Sequence, residues 1–154
     1  MSTGRLNQQL GKGFESIFET MARYSGFLPI RTGHSCRIIG KGRLKLIRGQ
    51  LDFQLITQDG RVGFYDTKTF KKPFFTYSEI CPHQLERSLL YCERKVPSGF
   101  VVWFTKSDVV SFFSGNFIFH EGPGRRFLPV EGVALGKIGS LNLKPLFQLV
   151  DLVA

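Results

Sequence analysis

Two acids and a lysine have the types and spacing to do chemistry. Asp52 lies in Gly49-Gln50-Leu51-Asp52-Phe53, and Asp66 and Lys68 lie in Phe64-Tyr65-Asp66-Thr67-Lys68. Asp66 and Lys68 are two apart, so on a strand both side chains leave the same face. Two carboxylates and an ammonium on one face suit phosphodiester hydrolysis assisted by Mg²⁺, with Mn²⁺ as a possible substitute. Carboxylate oxygens are the hard ligands that Mg²⁺ takes. Such an ion polarises a phosphate and lowers the pKa of a bound water. The lysine stabilises the developing negative charge or positions that water. The bland alternative is an ion pair on an exposed sheet face, and a bare D…DxK pattern arises by chance in many proteins. Context favours the chemistry here: an acid on a preceding helix, a hairpin with the right face, and a basic chain.

The elements must bring Asp52 to the other two. Leu51–Thr57 and Val62–Thr69 read as strands, with Asp59-Gly60 as a hairpin signal between them. A two-residue loop would pair Gln58 with Arg61 and set Asp52 opposite Thr67, on the wrong face. A three-residue loop, Gln58-Asp59-Gly60, pairs Thr57 with Arg61 and sets Asp52 opposite Asp66. Glycine in the third loop position is what that loop prefers, because the residue there is left-handed. The expected register therefore clusters Asp52, Asp66 and Lys68.

Around this hairpin, Leu10, Phe14, Ile17, Phe18, Met21 and Ala22 recur at helical spacing and predict a helix over Gln8–Ser25, stopped by Gly26 and Pro29. Ser35–Ile39 and Leu44–Ile47 read as extended, joined at Gly40-Lys41-Gly42. A loop with Lys71, Lys72 and Pro73 leads to a helix over Ser78–Lys95, with Pro82 allowed in a first turn. Phe100–Thr105 and Val109–Phe113 are expected strands, Asn116–His120 a further short strand, and Leu143–Val153 a closing helix. The pattern is that of an α/β fold with a central mixed sheet, and 154 residues fit one domain over 1–154.

Charge narrows the partner. Twenty-one Lys and Arg against twelve Asp and Glu give +9, which favours a polyanion. No acid occurs between Glu19 and Asp52, a gap that holds Arg23, Arg31, Arg37, Lys41, Arg43, Lys45 and Arg48. Within it, Arg37, Lys41, Arg43, Lys45 and Arg48 are candidate phosphate contacts, and Lys71 and Lys72 extend the set.

Other chemistries lack support. Cys36, Cys81 and Cys92 form no CxxC, and His34, His83 and His120 stand far apart. Neither a disulfide framework nor a zinc site is expected, and a reducing, cytoplasmic setting fits. There is no GxxxxGK[ST] and no GxSxG. The longest unbroken apolar run, Phe100-Val101-Val102-Trp103-Phe104, is too short to span a bilayer. Met1 to Gly13 has no apolar core, so a secretory leader is not expected.

Several segments together resemble the PD-(D/E)xK nuclease superfamily, and within it the RecU-type Holliday junction resolvases. They are Gly11-Lys12-Gly13-Phe14-Glu15, Leu51-Asp52-Phe53, Asp66-Thr67-Lys68, Phe74-Phe75, His83-Gln84, Gly99-Phe100-Val101-Val102 and the tail from Gly132 to Leu149. Three features depart from the family pattern: Asp66 where Glu is usual, Pro82 before His83-Gln84, and a shorter segment before Asp52. The resemblance implies a restriction-endonuclease-like core and a Mg²⁺-dependent endonuclease that resolves four-way DNA in recombination and repair. It implies Asp52 and Asp66 as metal ligands, Lys68 as the catalytic lysine, Gln84 beside water or phosphate, and Glu15 approaching from the first helix. It also implies a homodimer, since two related sites suit symmetric cutting. His83 is read as structural, Phe74, Phe75 and Tyr77 as core or dimer contacts, and Arg125 and Arg126 as a solvated pair. The other readings are a nuclease of the same superfamily acting on other branched or duplex DNA, and a non-catalytic DNA-binding module on this fold.

Overall fold

The computed structural model describes residues 3–32, 36–39, 43–46 and 51–152, with side chains over 11–32 and 51–148. The chain runs α1 (Thr3–Tyr24), β1 (Leu28–Arg31), β2 (Cys36–Ile39), β3 (Arg43–Leu46), β4 (Phe53–Ile56), β5 (Val62–Phe70) and β6 (Phe75–Thr76). It continues through α2 (Pro82–Glu93), β7 (Ser98–Phe104), β8 (Val109–Ser114), α3 (Gly115–Glu121), β9 (Arg126–Phe127), β10 (Val133–Gly136) and α4 (Pro145–Leu152). Short 3₁₀ turns occupy Tyr77–Glu79 and Pro129–Glu131.

Six strands form one mixed sheet in the order β1-β4-β5-β7-β8-β10. The β5–β7 ladder is parallel and the other four are antiparallel. A parallel pair needs a crossover, and α2 supplies it. The pairs β2–β3 and β6–β9 are separate two-stranded ribbons.

Strand alternation splits the apolar residues between two layers. On one face, Phe14, Phe18 and Ala22 of α1 and Leu146 and Phe147 of α4 pack on Phe53, Leu55, Tyr65, Val101 and Phe112. On the other, Leu85 of α2 and Ile118 of α3 pack with Phe100, Val102, Phe104, Phe113, Phe75 and Phe127. Phe14, Phe18 and Ala22 stand at i, i+4 and i+8, so one stripe of α1 enters the core. The result is an α/β/α sandwich around the central sheet.

The fold class and the two central strands agree with the sequence reading; several elements differ. The helix α1 begins at Thr3 rather than Gln8. The second helix begins at Pro82, where the absent proline N–H has no intrahelical partner to lose; the stretch before it is a 3₁₀ turn. Asn116–His120 lies within a helix, not a strand. Ser114 caps it by accepting the Phe117 N–H at 3.1 Å, and the chain leaves at Gly122. Those end signals override the β preference of Phe117-Ile118-Phe119. The strand β1 was not expected, since Pro29 was read only as a stop for the first helix; it is a sheet edge, where proline is tolerated. No helix among the described residues is long and apolar enough to cross a membrane.

Candidate active site

The hairpin β4–β5 adopts the three-residue loop. Phe53 pairs with Tyr65 and Ile56 with Val62. The Thr57 N–H donates to the Arg61 carbonyl at 2.8 Å, closing the loop, and Gly60 has φ +86°. The same register carried back sets Asp52 opposite Asp66.

Asp66 is fully buried. An ionised carboxylate taken out of water must be compensated nearby, and three groups converge on it. Its Oδ1 accepts from the Asp52 backbone N–H at 3.3 Å and from Gln84 Nε2 at 3.1 Å. Its Oδ2 lies 2.9 Å from Lys68 Nζ, yet receives no directed hydrogen bond from any described group. The ammonium is thus close enough for a strong electrostatic contact while leaving a lone-pair direction of Oδ2 open. Lys68 Nζ also donates to Gln84 Oε1 at 3.0 Å. Gln84 therefore clamps acid and lysine together, accepting from one and donating to the other. It reaches them from the first turn of α2, where Pro82 sets the helix start.

Asp52 completes the cluster. Its carboxyl is pushed up to about 8. Burial is the main cause, followed by the nearby Asp66 carboxylate and the charge of Glu15, against the pull of Lys68. Near neutral pH the Asp52–Asp66 pair therefore holds a proton that a divalent cation would displace. The backbone around Asp52 is pinned by Thr32: its N–H donates to the Asp52 carbonyl at 3.0 Å, and its hydroxyl to the Leu51 carbonyl.

These residues fit a hard divalent cation. A buried carboxylate oxygen is open, a second carboxyl stands against it, and a cation would offset the burial and the repulsion that together raise Asp52. No group of three or more His, Cys, Asp or Glu among the described residues is arranged to hold a metal ion. The candidate ligands are thus two carboxylates, which suits Mg²⁺, an ion that keeps several waters and takes further oxygens from substrate phosphate.

Glu15 sits at the margin. Its carboxylate pairs with Arg31 at 3.4 Å, and Arg31 also binds Glu19 at 2.7 Å. Glu15 adds to the field at Asp52 but is held by the edge strand. Sequence reasoning missed Arg31 and Thr32. The acids at i and i+4 on α1 called for a cation, but nothing local said which of the following basic residues would supply it.

The expected DNA contacts divide. Arg37 and Lys45 pair across the β2–β3 ribbon, as do Ile39 and Arg43; their side chains, and Lys41 and Arg48 altogether, lie outside the described residues. Lys71 is exposed. Lys72 donates to Glu79 at 2.6 Å. Arg125 is not merely solvated: it pairs with Glu121, and with Glu131 at 2.6 Å. Phe75 is buried in the core, as expected.

No family model matches the sequence, and no curated protein matches it. Among solved structures, the fold is similar to that of Hjc from Archaeoglobus fulgidus, a Holliday junction resolvase from an archaeal hyperthermophile. The TM-score is 0.55 at 14% identity, over 80% of this chain and 95% of that one. An acidic pair with its lysine and glutamine, built on a mixed six-stranded sheet between helices, thus lies on a chain that shares its fold with an archaeal junction resolvase.

Proposed function

We propose that this protein is a divalent-cation-dependent endonuclease that resolves four-way DNA junctions, of the RecU type and acting as a homodimer. The observation that carries the reading is the buried Asp66, with one oxygen held by the Asp52 N–H and Gln84 and the other open beside Lys68. Its occurrence on a junction-resolvase fold supports the substrate class, and the +9 charge supports a nucleic-acid partner.

Asp52 and Asp66 would hold the cation, which when bound neutralises charge on the scissile phosphate and makes a bound water more acidic. The chain's own groups do the rest. Lys68 presents a cation to the oxygen that gains charge at phosphorus or leaves it. Gln84 fixes the Lys68 ammonium and the Asp66 carboxylate in one orientation, so little reorganisation is needed during reaction. Asp52 must lose its proton before it can serve as a ligand. Glu15, held by Arg31, adds negative charge near Asp52 and so favours cation entry. Two sites related by a dimer axis would cut opposite strands of a junction symmetrically.

The test is digestion of a synthetic four-way junction and a matched duplex, with Mg²⁺, with Mn²⁺ and with chelator. The expected result is a pair of symmetric nicks in the junction alone, lost with chelator. Equal cutting of duplex and junction would instead make this a nuclease of broader substrate range. Tight junction binding with no cutting under either metal would make it a binding module.

A further inference from the structure

The ribbon β6–β9 has two unlike faces. Phe75 pairs with Phe127, and both side chains are fully buried; Thr76 pairs with Arg126, which is exposed. Alternation puts Phe74 on the Thr76–Arg126 side, and the Arg126 guanidinium lies over the Phe74 ring at 4.4 Å. Lys72 Nζ approaches the same ring at 5.3 Å.

The inner face ties this ribbon to the active-site side of the sheet. Phe70 leaves β5 on the same face as Asp66 and Lys68, about 7 Å beyond Lys68 at the usual strand rise. Its ring stacks on Phe75 at 5.6 Å and 14°, and Phe75 stacks on Phe127 at 4.9 Å and 14°. The segment 71–81 also joins the strand that carries Lys68 to the helix that carries Gln84.

The cations here differ in their partners. Lys72 is neutralised by Glu79, and Arg125 by Glu121 and Glu131. Arg126 has no acidic partner among the described residues; only an aromatic ring holds it. Ring contact steadies a guanidinium without neutralising it and without using its N–H donors. An arginine so held is prepared for two-pronged recognition of a phosphate.

We infer that Arg126, seated on Phe74, is a phosphate-binding residue for the DNA backbone beside the cleavage centre, with Phe74 as its positioning residue. This rests on the nuclease reading for the identity of the polyanion and extends the contact surface beyond the β2–β3 segment. Arg126 engages backbone rather than bases, so its contribution is the same for different sequences.

The test is binding of the full chain to a labelled junction and to duplex over a range of salt, with chelator present so that nothing is cut. Arg126→Gln should weaken binding to both and make the log–log salt dependence shallower by about one unit. Phe74→Leu keeps the charge, so it should lower affinity at unchanged slope and have no further effect once Arg126 is Gln. Arg125→Gln, which removes an already neutralised cation, should leave the slope unchanged. An Arg126→Gln protein with parental affinity and slope would overturn the inference even if the parent cuts junctions normally. So would equal slope changes from Arg125→Gln and Arg126→Gln, since that reports bulk charge. A parent chain that neither binds nor cuts DNA would overturn the nuclease reading itself, and this inference with it.

Discussion

Asp66 and Lys68 depend on each other for more than chemistry. Removing one partner of a buried ion pair leaves the other uncompensated, which costs roughly 3–5 kcal/mol when both are buried. Lys68 keeps a quarter of its side chain in water, so Lys68→Ala should cost somewhat less. Adding Asp66→Asn to Lys68→Ala should recover part of that loss, which urea melts of the single and double variants would reveal. Both single variants should lose cleavage. Asp52 behaves in the opposite sense. Its carboxyl ionises near 3.8 when unfolded and near 8 when folded. Between those values the folded chain holds the extra proton, so Asp52 lowers stability progressively as pH rises through that window. Asp52→Asn should therefore melt higher than the parent, by a margin that grows from about pH 4 to about pH 8 and then levels. A margin that shrank with rising pH would show that Asp52 is not the protonated partner. The three residues were legible in the sequence because a hairpin is local and a strand has a period of two. Gln84 was not legible from spacing, since a glutamine in a first helical turn has no mark of its own; only its place in a family-like pattern singled it out. Arg31 showed in the sequence only as one of several cations in the acid-free gap, and Thr32 left no signal, because their roles come from the packing of the edge strand against α1 and β4.

At the scale of elements, the β4–β5 loop sets which face every residue of β4 presents. Gly60 is left-handed, with nothing within 4 Å of where a Cβ would stand. A substitution there meets no clash, so its effect is purely conformational, and a left-handed L-residue costs roughly 1–2 kcal/mol. Gly60→Ala should lower stability by about that amount, Gly60→Val by more, and Gly60→Asn by less, because asparagine tolerates this region. Thermal melts rank the three. Cleavage should fall in the same order if the carboxylates lose register. The loop was readable because its glycine is required by backbone geometry. The helix α3 was not: its apolar trio favours a strand, and only the cap at Ser114 and the exit at Gly122 decide otherwise. Pro29 likewise disguised β1, whose place at a sheet edge is a tertiary fact.

For the whole molecule, a cation that binds only the folded chain must stabilise it. One present at a hundred times its dissociation constant adds about 2.7 kcal/mol, and each kcal/mol moves the melting temperature by roughly 2–4 °C for a chain of this size. Mg²⁺ should therefore raise the melting temperature of the parent, and chelator should reverse the rise. Asp66→Asn should abolish most of it. A rise that survives in Asp66→Asn would place the cation elsewhere. The general α/β plan was legible because the apolar spacing of the first helix and of the central strands was strong. The two-layer division of the phenylalanines was not, since a run such as Phe100–Phe104 faces both sides at once.

The pairing order of the sheet also says something about how the molecule comes together in time. Asp52 and Asp66 are joined across a single tight hairpin, a structure that closes in roughly microseconds. Gln84 reaches them only when α2 has crossed over and β7 has docked beside β5, a slower event because a parallel pair must close a longer loop before it gains any contact. A refolding chain therefore meets its two negative charges first and the clamp that steadies them later. During that interval the paired acids repel one another with only Lys68 to offset them. Divalent cation in the refolding buffer should consequently speed folding as well as strengthen the product, to the extent that the hairpin is formed at the barrier.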